Sequence, residues 1–147
     1  RGPVVTRRRP EHGTVTVLLV GFLLVLGLLT GAVVDASAAY LRHQELDSLA
    51  DGAALAAADG AQGAGVYEHG LGRSAQIDPA AAVGYVEQYL GSVGASGSYP
   101  GITWTVQSTG QSVTVELRAP LHLPLTPPGW DSTSTVTGRA SAVVPVS

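Results

Sequence analysis

Four histidines, two carboxylates one helical turn apart and two tryptophans are the side chains in this sequence best suited to chemistry. His12, His43, His69 and His122 would have to meet at one point to hold zinc, which takes a compact set of N and S ligands at characteristic spacings. No two of them stand four apart, so they are expected on solvated surface. Asp47 and Asp51 share a helix face and could act as paired carboxylates or as part of a calcium site. Calcium wants six to eight oxygens, usually from a loop, and no such loop surrounds them, so a solvated face is expected. Gly70-Leu71-Gly72 begins a dinucleotide-binding pattern but is not completed by a third glycine, and neither a P-loop nor a nucleophile elbow occurs. The serines have no activating base at a telling spacing. No catalytic residue, cofactor-binding residue or metal ligand is therefore assigned, no cofactor and no small-molecule substrate are expected, and the chain is not expected to be an enzyme.

The two tryptophans are read differently. Trp104 alternates with polar neighbours and belongs on the apolar face of a strand. Trp130 follows Pro127-Pro128-Gly129 and precedes Asp131; it is expected to cap the sheet, with an exposed contact residue as the alternative.

Any element that positions these residues is drawn from a chain of 147 residues with 19 Gly, 9 Pro, no Cys, 45% hydrophobic residues and only 13% charged ones. That charged fraction is about half the roughly 25% of an ordinary soluble domain, a skew toward membrane. Without cysteine there is no disulfide framework and no thiolate chemistry. Room exists for about one domain.

The organising feature is the stretch Thr14–Val34, twenty-one residues without a charge. As a helix rising about 1.5 Å per residue it reaches about 31 Å, the hydrocarbon thickness of a bilayer. A helix is required there because lipid cannot satisfy backbone N–H and C=O groups. Arg7, Arg8 and Arg9 precede it, whereas Asp35, Glu45, Asp47 and Asp51 follow with only Arg42 among them. The positive-inside rule then places the N-terminus in the cytoplasm and the rest outside. Residues 35–147 hold four Arg against ten acidic residues, which disfavours nucleic acid as a partner. Ala36-Ser37-Ala38 has the small-residue spacing of a signal-peptide cleavage site, but the apolar stretch exceeds the 7–15 residues of a signal core. Gly27 and Gly31 form a G-x-x-x-G pair of the kind that lets helices approach, although in so glycine-rich a span chance explains it.

Nothing breaks the helix at the membrane surface. Asp35 to Asp59 is rich in Ala and Leu, and Ala39, Leu46, Ala50, Ala53 and Ala57 form a narrow stripe suited to close packing. The glycines at 60, 63, 65, 70 and 72 predict an end near Asp59 and a flexible connection. Asp78 as N-cap and Pro79 at the first helical position open a second helix with Val83, Val86, Leu90 and Val93 on its inner face. Beyond it the pattern turns to alternation. Ile102, Trp104 and Val106 form one strand, Val113, Val115 and Leu117 another, and Ser108-Thr109-Gly110-Gln111 the hairpin between them. Apolar residues continue at Leu121, Leu123 and Leu125, but Pro120 and Pro124 predict an edge strand or extended loop. Val136, Gly138, Ala140, Ala142 and Val144 mark the last strand.

Between residues 7 and 61 the sequence resembles the TadE/TadG-like proteins of the Tad (Flp) pilus-assembly machinery. The resemblance is carried by the Arg-rich start and Gly13, the apolar span, Val34-Asp35, Tyr40-Leu41 and the run Leu49-Ala-Asp-Gly-Ala-Ala-Leu-Ala-Ala-Ala58. It implies a pilin-like architecture and a role as a minor pseudopilin-type or envelope-spanning component of pilus assembly or a related secretion apparatus. Its partners would be the lipid bilayer and other single-helix pilus or secretion components. Some relatives are cut by a prepilin peptidase after a glycine, leaving Glu at the fifth mature position; the fifth residue after Gly13 is here Leu18.

The expected organisation is α+β, in five parts. They are a basic cytoplasmic N-terminus (1–13), a transmembrane helix (14–34), its outer continuation (35–59), a glycine-rich linker (60–77) and an extracytoplasmic α+β domain (78–147).

Overall fold

The computed structural model describes residues 1–4, 12–69, 77–126 and 128–144. The arginines at 7–9, the glycines at 70 and 72, and Pro127 lie outside them. One helix, α1 (His12–His69), is followed by α2 (Pro79–Ser92), a single turn α3 (Ala95–Ser98) and three strands, β1 (Thr103–Ser108), β2 (Ser112–His122) and β3 (Thr133–Val143). The α+β class read from the sequence is the class observed.

The 58 residues of α1 make a rod of about 87 Å, and its two halves have opposite surroundings. The apolar first half is bare, an 18-residue window of mean hydropathy 2.8 having none of its residues buried. Two of its hydroxyls are satisfied within the helix, Thr30 Oγ1 donating to Leu26 O and Ser37 Oγ to Val33 O at 2.8 Å each. The second half is the spine of the domain. Leu46, Ala50, Ala53, Ala57 and Ala61 are buried there, with Ala54 and Ala58 beside them, so the stripe of small residues faces the core as its spacing implied except at Ala39, which is only half-buried.

The helix does not stop at Asp59. It runs ten residues further, through Gly60, Gly63 and Gly65. Each glycine in a helix interior costs about 1 kcal/mol relative to alanine, but packing opposes that cost at Gly60, where the Tyr85 ring of α2 fills the place of a side chain. A Cβ there would stand 2.6 Å from Tyr85 Cγ. Gly52 likewise makes room for the Tyr89 hydroxyl. The buried row of α2 is Ala82, Val86 and Leu90; Val83 and Val93, expected on the inner face, are exposed. The i,i+4 row through Val86 meets α1, and Val83 sits a full 100° step away from Ala82. The N-cap reading holds, since Asp78 Oδ1 accepts the Ala80 N–H at 3.2 Å.

The sheet is antiparallel with β2 in the middle. Val113, Val115, Leu117, Ala119 and Leu121 of β2 turn their buried face to the helices. Pro120 was expected on an edge or in a loop, yet it pairs with Thr135 inside the central strand. The reason lies in bond parity. Leu123 N–H donates to Ser132 O, whereas Thr109 N–H donates to Ser112 O, so even-numbered residues of β2 direct their backbone groups toward β1. β1 pairs no further than Thr103 with Arg118, and the N–H that proline lacks would face past its end. Locally, the position is an edge within a central strand.

Candidate functional site

Two surfaces meet on α1, the bare apolar half and the seam where the domain clasps the other half. The seam is built on a close backbone approach. A Cβ on Gly138 of β3 would collide with the carbonyl carbon of Leu46 and stand 2.6 Å from its oxygen, so the strand lies directly on the helix backbone there. Beside this contact Asp47 Oδ1 accepts the Arg139 N–H at 3.0 Å. Asp47 was read as part of a solvated face; its side chain is only half exposed and is used to hold β3, while Asp51 is exposed. Nothing in local spacing marks that bond, because the donor is a backbone group brought in by the tertiary fold.

A second carboxylate works the same way nearer the apolar half. Asp35 Oδ1 accepts the Leu125 N–H at 3.1 Å, and Leu125 Cδ1 lies 3.8 Å from where a Cβ of Gly31 would be. Gly31, singled out as half of a G-x-x-x-G pair, thus receives a side chain of its own domain, while Gly27 has open space around it.

Where α1, α2 and α3 converge, Leu41, Glu45, Leu49, Tyr89 and Tyr99 line an open groove. Tyr99 Oη donates to Glu45 Oε2 at 3.1 Å. Arg42 Nη1 lies 3.0 Å from that same oxygen, and its guanidinium carbon sits 4.7 Å from the centroid of the Tyr99 ring. Partial burial raises the Tyr99 pKa above its usual 10.0, and the hydrogen bond to Glu45 adds to the rise. One carboxylate held by an arginine and a phenol is an arrangement for fastening helices together; a nucleophile and its base are absent from it.

His43 Nε2 is 3.5 Å from Asp47 Oδ2 and His122 is exposed, while the side chains of His12 and His69 lie outside the described ones. No group of three His, Asp or Glu suited to a metal occurs among the described residues. Trp104 is half-buried against the core. Trp130 does not cap the sheet, being 75% exposed, because the β2–β3 connection carries it past the last paired residues, His122 and Thr133, where no element covers it.

These features define a class: a protein whose single long helix is apolar and long enough to cross a membrane in its first half, and carries an α+β domain on its second. The particular kinship follows from comparison. Residues 13–61 match the model of the Flp pilus-assembly TadE/G-like family, a segment that begins at the foot of the apolar half and ends at the last buried alanine of the seam. Together the match and the helix support a pilus-assembly-related component. No curated protein and no solved structure matches it.

Proposed function

We propose that this chain is a single-pass, non-catalytic structural component of Tad (Flp) pilus assembly or a related secretion apparatus, minor pseudopilin-like or TadG-like in role. The observation that carries the reading is the coincidence of the family segment, 13–61, with a helix that is lipid-compatible at one end and domain-bearing at the other. In this reading α1 crosses the cytoplasmic membrane once, the arginines at 7–9 stay in the cytoplasm, and the domain stands in the cell envelope. Other single-helix components would pack along the outer half of α1. Leu41 and Leu55, 58% and 51% exposed, lie fourteen residues apart, close to four turns along that half, Leu41 at the lip of the groove beside Tyr89 and Tyr99.

The test is capture of the full chain from native-like membranes after in-cell crosslinking from position 41 or 55. Recovery of single-helix Tad-type subunits supports the reading. Recovery of the chain free of them, with the domain released into the medium after cleavage beyond Ala38, would favour an envelope binding module instead.

A further inference from the structure

We propose that the β2–β3 connection makes a second membrane contact through its described residues 123–126 and 128–130, seated in the interfacial layer of the leaflet from which α1 emerges, with Leu125 and Trp130 turned to lipid. The inference rests on the reading of α1 as membrane-spanning.

Height on the helix is the first argument. Leu125 Cδ1 lies 3.8 Å from where a Cβ of Gly31 would be, one turn inside the uncharged stretch that ends at Val34, and the Leu125 N–H is held by Asp35, the first charge beyond that stretch. Wherever Gly31 sits in the bilayer, the Leu125 side chain sits beside it. The direction of the sheet agrees. Gly138 packs on Leu46, and the five residues back to Thr133 cover about 17 Å of strand, as the eleven residues from Leu46 to Asp35 cover about 17 Å of helix. The connection is therefore the membrane-facing end of the sheet.

Composition is the second argument. Leu123 to Trp130 carries no charge. Among its first six residues three are prolines without an N–H, and the N–H groups of Leu123 and Leu125 are bonded to Ser132 O and Asp35. Unsatisfied backbone donors are what lipid penalises most in irregular chain, and here five of six are absent or bonded. Leu125 and Trp130 are 53% and 75% exposed, and tryptophan, apolar with one N–H, favours the membrane interface.

The experiment uses the full chain in nanodiscs of phosphatidylcholine and phosphatidylglycerol, with Trp104→Phe leaving Trp130 as the single indole. Lipids carrying a nitroxide near the headgroup should quench Trp130 strongly, and aqueous acrylamide only weakly. Free quenching by acrylamide with indifference to the nitroxide would overturn the proposal; so would shielding from both, which would assign the loop to a protein partner. If Trp104→Phe disturbs the sheet, the difference between the unmodified chain and its Trp130→Phe variant gives the same readout. A companion chain, Phe22→Trp with both native tryptophans replaced by phenylalanine, reports the span. Quenching of its indole by deep nitroxides alongside an unquenched Trp130 sinks the loop contact alone, whereas no deep quenching sinks the spanning reading and the loop contact with it.

Discussion

The Asp47 carboxylate accepts the backbone N–H of Arg139 at 3.0 Å, across 92 residues of sequence, at the point where Gly138 lets β3 lie on the backbone of α1. This pair of contacts joins the long helix to the sheet, and it gives the sharpest expectations about stability.

Gly138→Ala is expected to destabilise the domain by roughly 1–3 kcal/mol, the usual range for overpacking. Its new methyl meets the backbone of Leu46, which cannot swing away as a side chain could. Thermal unfolding of the purified chain in detergent, followed by circular dichroism, measures it. An unchanged midpoint would mean that the strand does not press on the helix.

Asp47→Ala should cost on the order of 1 kcal/mol by removing the acceptor of the Arg139 N–H, and Asp47→Asn should cost less because the amide oxygen can still accept. Denaturant titration of the two variants side by side decides the matter through their order. Equal losses would point to the charge, with its neighbour His43, as the active ingredient.

The two tyrosine notches are expected to respond unequally. At Gly60 a methyl would meet the Tyr85 ring near its root, so Gly60→Ala should destabilise; at Gly52 it would meet the Tyr89 hydroxyl, the far end of the side chain, which can move. The helix-propensity gain of about 1 kcal/mol should then leave Gly52→Ala close to neutral. A double-mutant cycle of Gly60→Ala with Tyr85→Ala should show coupling, and additivity within about 0.5 kcal/mol would remove Tyr85 as the cause.

Alkaline pH should loosen the junction of α1, α2 and α3. The folded pKa of Tyr99 is raised above 10.0 by burial and by its bond to Glu45, so the folded state retains this proton more strongly than the unfolded chain. The contribution is fully present below the unfolded value and is lost as pH climbs through the folded one. Stability measured from pH 9 upward should fall, and Tyr99→Phe should flatten that fall; a fall of the same steepness in the variant would exclude Tyr99 as its origin.

Topology has a direct readout in vivo. A periplasm-active reporter joined after Ser147 should be active, and its cytoplasm-dependent counterpart silent. The reverse pattern would invert the orientation drawn from the arginine flank.

Much of this molecule is legible in its sequence. An uncharged run of bilayer length, an alanine stripe at helical spacing, Asp78-Pro79 and alternating strands each encode a local preference that the fold then honours, because periodicity states which face must leave water. The family segment was legible for the same reason, being one continuous helix. Other features depended on partners remote in sequence. Glycines at 60, 63 and 65 signal a break, and only the packing of α2 against α1 shows why the helix continues past the first of them. Pro120 signals an edge, and only the length of β1 shows how a central strand accommodates it. Asp35, Asp47 and Gly138 carry no local sign of their roles, since each meets a backbone from another part of the chain. The sequence by itself determined which segments seek lipid, core or water; the tertiary structure alone decided which backbone each carboxylate holds and left Trp130 uncovered, because those outcomes depend on distances between segments that local preference does not contain.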